Sequence, residues 1–164
     1  MALERTIAYL LLGSNLGNRA EILDQAIQLV GKNIGNVSEK SSLYETDAWG
    51  KTDQPVFLNQ AIAVNTTLTA VEVLDRALEI EQKLGRIRKE KWGERLIDID
   101  LILYGNEVIN IEDKLQVPHP QMQFRKFVME PLNEIASEVV HPILNITISE
   151  ITKNITDNLE VKKL

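Results

Sequence analysis

The chain contains no cysteine. Thiol catalysis, disulfide staples and cysteine-ligated zinc are excluded with it. Positive charge is scarce: 18 Lys and Arg stand against 24 Asp and Glu, a net charge of −6. General nucleic-acid and membrane-surface binders show the opposite balance, so neither partner is expected, and any polyanion site must be local. Aromatics make up only 5% of the residues. No apolar run is long enough to span a bilayer. The opening MALERTIAYLLLGSN has a short apolar core that runs into a polar turn without a small-residue cleavage pattern. Neither an anchor nor a signal peptide is read there, and a cytoplasmic chain is expected. There is no G-x-x-x-x-G-K-[ST] loop and no kinase signature set. If ATP is used, it is held without a Walker cradle.

What is present suits one domain over residues 1–164. Hydrophobic residues make up 44% and charged residues 26%, ordinary values for a globular core of this size. Residues 6–12 read as a strand and 13–18 as a turn. Residues 18–31 carry apolar side chains at helical spacing behind Asn18 as N-cap. Residues 37–46 read as a strand, 47–55 as a loop and 56–66 as a strand. The segment 69–85 is the clearest helix, with a Thr69–Glu72 capping box and Gly85 at its end. Residues 104–108 read as a hairpin turn. Residues 115–137 start extended and end helical, and Thr147–Glu150 is a second capping box opening a last short helix. The order β-α-β-β-α-β predicts an α+β, ferredoxin-like sandwich: an antiparallel sheet with helices on one face, plus C-terminal additions.

The stretch GERLIDIDLILYG (93–105) reads as a buried strand, yet Asp98 and Asp100 sit in its middle. Alternation points both to one face, about 6.6 Å apart along the chain, flanked by Leu96 and Ile102. Ile97, Ile99, Leu101 and Leu103 are expected on the core face. The pair reads either as solvent-facing charge on an open sheet or as two oxygen ligands of a shared divalent cation. Strands seldom favour Asp, and like charges on one face repel. The preceding loop holds Arg86, Arg88, Lys89, Lys91 and Arg95, five cations in ten residues. Alone, that is a solvated charged loop. Beside two carboxylates facing one way, it is apparatus suited to phosphoryl transfer.

The block KWGERLIDIDLI (91–102) resembles the signature of the 6-hydroxymethyl-7,8-dihydropterin pyrophosphokinases of folate biosynthesis. LLGSNLGNR (11–19), SSLYETDAWG (41–50), QPVFLNQAI (54–62) and VPHPQMQFRKFVMEPLNEIA (117–136) resemble further blocks of that family, in order. The resemblance implies a ferredoxin-like fold and transfer of the pyrophosphoryl group of ATP to the pterin hydroxymethyl, releasing AMP. It implies that Asp98 and Asp100 coordinate two magnesium ions, and that Arg86 and Arg95 contact the phosphates. Glu81, Arg88, Lys89, Trp92, Lys114, His119 and Arg125 would also serve ATP. Phe57 and Phe127 would stack on the pterin. Asn59 would bind its edge, helped by Thr46 and Ala48. Trp49 and Trp92 would sit on loops that close over the substrates. Pro120 stands where some members carry an aromatic residue, and Lys114 where some carry arginine. A monomer acting on small molecules is expected.

Apart from the resemblance, Phe57 and Phe127 read as core, His119 as a loop histidine and Glu81 as a helix surface charge. Ser14 and Asn15 read as turn or capping residues. A two-metal phosphohydrolase would also use the aspartates, although two ligands are few for it. An RNA-recognition module shares the element order but needs exposed sheet aromatics.

Overall fold

The computed structural model describes residues 4–15, 17–46, 56–85, 96–157 and 159–164. Strand β1 (Thr6–Ser14) is followed by helix α1 (Arg19–Asn33), β2 (Asn36–Lys40), β3 (Tyr44–Thr46) and β4 (Phe57–Thr66). Helix α2 (Ala70–Leu84) leads to β5 (Asp98–Tyr104), β6 (Ile109–Ile111) and β7 (Leu115–Val117). A 3-10 turn precedes α3 (Lys126–Ala136), and α4 (Ile148–Lys153) and β8 (Val161–Lys163) end the chain.

The expected helix starts form as their sequences dictate. Asn18 Oδ1 accepts the Glu21 N–H at 3.3 Å. Thr69 and Glu72 satisfy each other's backbone N–H at 3.2 and 2.9 Å, and Thr147 and Glu150 repeat the box. Gly85 caps α2 without a left-handed backbone, its φ being −90°. Glycine serves there because a β-carbon would meet the Glu81 carbonyl oxygen at 2.9 Å.

The main sheet runs β5-β1-β4-β3-β8, with β2 also paired to β4. Every pairing in it is antiparallel. The fold is ferredoxin-like α+β. Residues 37–46 form two strands rather than the one expected. Ser41 breaks them and stitches the gap: its N–H reaches the Ala61 carbonyl at 2.8 Å, and its Oγ accepts the Ala61 N–H at 2.9 Å.

Helices cover both faces of the sheet, not one. Leu10, Leu12, Ile62, Val64, Ile99 and Leu101 pack against Leu23, Val30, Val73, Ala77 and Ile80 of α1 and α2. On the other face Leu11, Ala61 and Leu103 lie under Val128, Met129, Leu132 and Ile148 of α3 and α4. Each Val, Leu, Ile or Met among them contributes about 1.5–3 kcal/mol on burial. Leu103 therefore leaves the face expected for it. The β1–β5 register pairs Leu10 with Leu101 but Tyr9 with Leu103, so Ile102 is an extra residue that reverses the alternation. The turn at Gly105, φ +55°, accommodates a left-handed residue. The strand after it pairs with β7 in a separate two-stranded sheet rather than folding back on β5.

Candidate active site

Among the described residues, the second face of the sheet is buried at one end and open at the other. α3 covers Leu11, Ala61 and Leu103, and beyond its first turn a cavity of about 190 Å³ remains. Leu11, Gly13, Thr46, Phe57, Asn59, Asp98, Asp100, Arg125, Phe127 and Leu159 line it. Register explains why these residues meet. Gly13 pairs with Asn59 on one side and with Asp98 on the other. Leu11 likewise pairs with Ala61 and Asp100. Residues opposite one another across a ladder share a face, so Asn59, Asp98 and Asp100 all look toward α3. Asn59 and Asp98 are two ladder spacings apart, about 10 Å, with only a hydrogen at Gly13 between them.

Asn59 is 4% exposed. Its amide nitrogen donates to Thr46 Oγ1 at 3.2 Å, which uses one donor and fixes the amide plane. Phe57 lies two residues before Asn59 and so rises from the same face. Phe127 projects from the first turn of α3, and the Arg125 guanidinium lies 5.8 Å from its ring centroid. The cavity is thus walled by a sheet-borne and a helix-borne phenyl ring, with the Asn59 amide and the two carboxylates separated across Gly13 on the sheet. The expectation that Phe57 and Phe127 are only core is too narrow, since both line open space.

A second groove runs along β5, the outermost strand of the sheet on that side. Leu74, Ile99, Asp100, Leu101, Lys114, Gln116, His119 and Pro120 are among its walls. Asp100 lines both the groove and the cavity. Glu81 Oε2 accepts the Ile99 N–H at 2.6 Å. Its carboxylate therefore holds the β5 edge between the two aspartates instead of being a loose helix charge. Lys114 Nζ pairs with Asp75 at 3.0 Å, an exposed bridge that contributes little and leaves the ammonium at the groove. His119 is tied by its N–H to the Ile102 carbonyl at 2.9 Å, and its Nδ1 accepts the Gln121 N–H at 3.2 Å. Burial, then the Arg125 charge, lowers its pKa and so favours the neutral imidazole. Arg125, expected to serve the nucleotide, lines the cavity beside Phe127.

Ala48, Trp49, Arg86, Arg88, Lys89, Trp92 and Arg95 lie outside the described residues. Ser14 and Asn15 are fully buried. Gly13, Leu11 and Leu159 were not anticipated from sequence. Gly13 reads locally as part of the GSNLGN turn, and Leu159 carries no local signal.

Residues 9–137 match the family model for 7,8-dihydro-6-hydroxymethylpterin-pyrophosphokinase (HPPK). The chain belongs to the HPPK family. A relative from Bacillus subtilis (strain 168), a 2-amino-4-hydroxy-6-hydroxymethyldihydropteridine pyrophosphokinase, is 45% identical over 81% of this chain and 80% of its own length. One of the same name from Haemophilus influenzae is 39% identical over 94% and 96%. Among solved structures, the Plasmodium falciparum HPPK-DHPS A437G chain superposes with a TM-score of 0.74 at 19% identity. This chain covers 45% of that longer one and matches it with 92% of its own residues, a likeness that concerns fold alone.

Proposed function

We infer that the protein transfers the pyrophosphoryl group of ATP to the hydroxymethyl group of 6-hydroxymethyl-7,8-dihydropterin, a step of folate biosynthesis. The carrying observation is that a cavity walled by Phe57, Phe127, Asn59 and Thr46 and a groove along β5 walled by Lys114 and His119 meet at Asp100. The pterin lies in the slot between Phe57 and Phe127, its edge on Asn59 and Thr46, and its hydroxymethyl points past Gly13 to the aspartates. ATP lies in the groove along β5, with His119 and Lys114 beside it and Glu81 holding the strand. The hydroxymethyl oxygen bonds to the β-phosphorus, the bond from that phosphorus to the α–β bridging oxygen breaks, AMP departs, and the hydroxyl proton goes to solvent. Orientation does much of this, because both reactants are fixed against one strand.

Asp98 and Asp100 suit magnesium: hard oxygen donors on one face, beside space for phosphate. Among the described residues no group of three or more His, Asp or Glu could hold a metal ion. Asp98 and Asp100 would hold two magnesium ions together with ATP phosphate oxygens, and the metal would supply neutralisation of phosphate charge. Arg86, Arg95, Arg88 and Lys89 would add phosphate contacts, while Trp49, Trp92 and Ala48 would border the substrates. Residues 1–164 act as one domain and a monomer. Among the described residues no helix is long and apolar enough to cross a membrane, and an ATP-consuming biosynthetic step fits the cytoplasm. The RNA-module alternative is disfavoured because α3 and α4 cover the sheet face it would need. Incubation with ATP, magnesium and the hydroxymethyl-dihydropterin should yield AMP and pterin diphosphate in equal amounts by chromatography. Release of free phosphate without pterin diphosphate would favour a phosphohydrolase instead.

A further inference from the structure

The C-terminal tail lies beyond the residues matched by the family model, which end at 137, yet it reaches the cavity. Leu159 lines it together with Thr46, Phe57, Asn59 and Phe127. Two anchors hold the tail there. Asp157 Oδ2 accepts the Lys126 N–H at 3.0 Å, and its Oδ1 accepts the Leu159 N–H at 2.9 Å. Lys126 opens α3, whose N-terminus has no side-chain cap of its own at Arg125. Asp157 therefore satisfies a helix donor from outside the helix, one residue before Phe127. Beyond Leu159, β8 pairs Val161 with Thr46 and Lys163 with Tyr44, and the Leu164 N–H reaches the Leu43 carbonyl at 2.9 Å. The tail thus ties the strand that carries Thr46 to the helix that carries Phe127, with Leu159 set between the ties.

We propose that this tail is a working wall of the pterin slot. Leu159 touches the bound ring and sets which ring substituents fit, and Asp157 positions Phe127 by holding the start of α3. The proposal rests on the reading of the slot as the pterin site. A branched apolar side chain against a flat ring excludes water there and limits the slot's width. Removing it opens room for an added methyl group.

The test compares wild type, Leu159→Ala, Leu159→Met, Asp157→Ala, Asp157→Asn and the exposed neighbour Glu160→Gln. KM is measured for each substrate, with a ring-methylated hydroxymethyl-dihydropterin as competitor. Leu159→Ala should raise the pterin KM about tenfold, the order expected for a lost apolar contact, while the ATP KM changes far less. The same variant should bind the methylated ring more tightly than wild type does. Leu159→Met, nearly the same volume, should remain selective for the unsubstituted ring. Asp157→Ala should raise the pterin KM, Asp157→Asn should restore most of it, and Glu160→Gln should change neither. The gain for the bulkier ring is decisive, because structural damage cannot produce it. Folded Leu159→Ala protein with unchanged pterin KM and unchanged ring selectivity would overturn the proposal. If wild type itself makes no AMP from this pterin, the functional reading fails instead.

Discussion

Gly13 lies so close to Asn59 that a β-carbon on it would stand 2.7 Å from Asn59 Oδ1. The glycine is therefore required by the amide beside it, not by a turn. Gly13→Ala should push Asn59 off Thr46, whose hydroxyl holds it at 3.2 Å. The atom in the way ends a side chain, so the fold should survive at a cost of about 1–3 kcal/mol. Pterin affinity by calorimetry should fall, and ATP affinity should not. Equal loss for both ligands would mean that the strand itself has shifted.

Asp98 and Asp100 stand on one face of β5 beside Gly13 and Leu11. Asp98→Ala and Asp100→Ala should each lower kcat by far more than about tenfold, a barrier increase above ~1.4 kcal/mol. Magnesium titration should no longer restore turnover. Retention of a tenth of wild-type kcat at saturating magnesium would remove both residues from the metal site.

The fold was legible where local chemistry settles it. Capping boxes at Thr69 and Thr147 and the apolar runs of β1 and β4 need no distant partner to be read. The misreadings share a different origin. Ile102 is an extra residue only relative to the register of β1, so the reversal at Leu103 cannot be seen in β5 alone. The covering of the second sheet face depends on where α3 docks, which is set by distant contacts: Val128, Met129 and Leu132 on Leu11 and Ala61, and Glu134 on Ser42 and Tyr44. In the site, the Asp98–Asp100 pair declared itself because charge in an apolar strand is anomalous. Asn59 did so because a polar amide in an apolar strand needs hydrogen-bond partners. Leu159 did not: a leucine in a polar tail acquires meaning only from the slot it lines.

Phe57 and Phe127 offer a third check. Both are half-buried and line the slot, so truncation should open the cavity further rather than hollow out the core. Phe57→Ala and Phe127→Ala should each weaken pterin binding by the worth of an aromatic pair, about 0.5–1.5 kcal/mol, plus lost apolar contact. ATP affinity should stay near wild type. A loss of stability of about 3–5 kcal/mol, the cost of truncating a core phenylalanine, with no change in pterin affinity would return both to the core.

The Tyr44–Glu134 pair makes stability depend on pH at both ends of the range. Tyr44 donates its hydroxyl to Glu134 Oε1 at 2.6 Å, and Ser42 adds its N–H at 3.1 Å and its hydroxyl at 2.9 Å. Burial works to raise the Glu134 pKa, but these hydrogen bonds, with Lys163 at 4.0 Å, outweigh it and hold the carboxyl below its ordinary value. Burial, then the hydrogen bond to Glu134, pushes the Tyr44 phenol well above its ordinary value. A depressed carboxyl contributes stability above its unfolded pKa of about 4.3 and loses it as pH falls through the folded value. A raised phenol contributes below about 10 and loses it as pH climbs through the folded value. Stability from this pair should therefore be full between those limits and decline outside them. Tyr44→Phe keeps the ring and removes the donor. It should cost about 1.5–3 kcal/mol at neutral pH, the range for a hydrogen bond to a charged group. It should also flatten both limbs of a stability–pH curve measured by urea unfolding. A variant curve parallel to wild type at every pH would show that the pair packs α3 against β3 without electrostatic coupling.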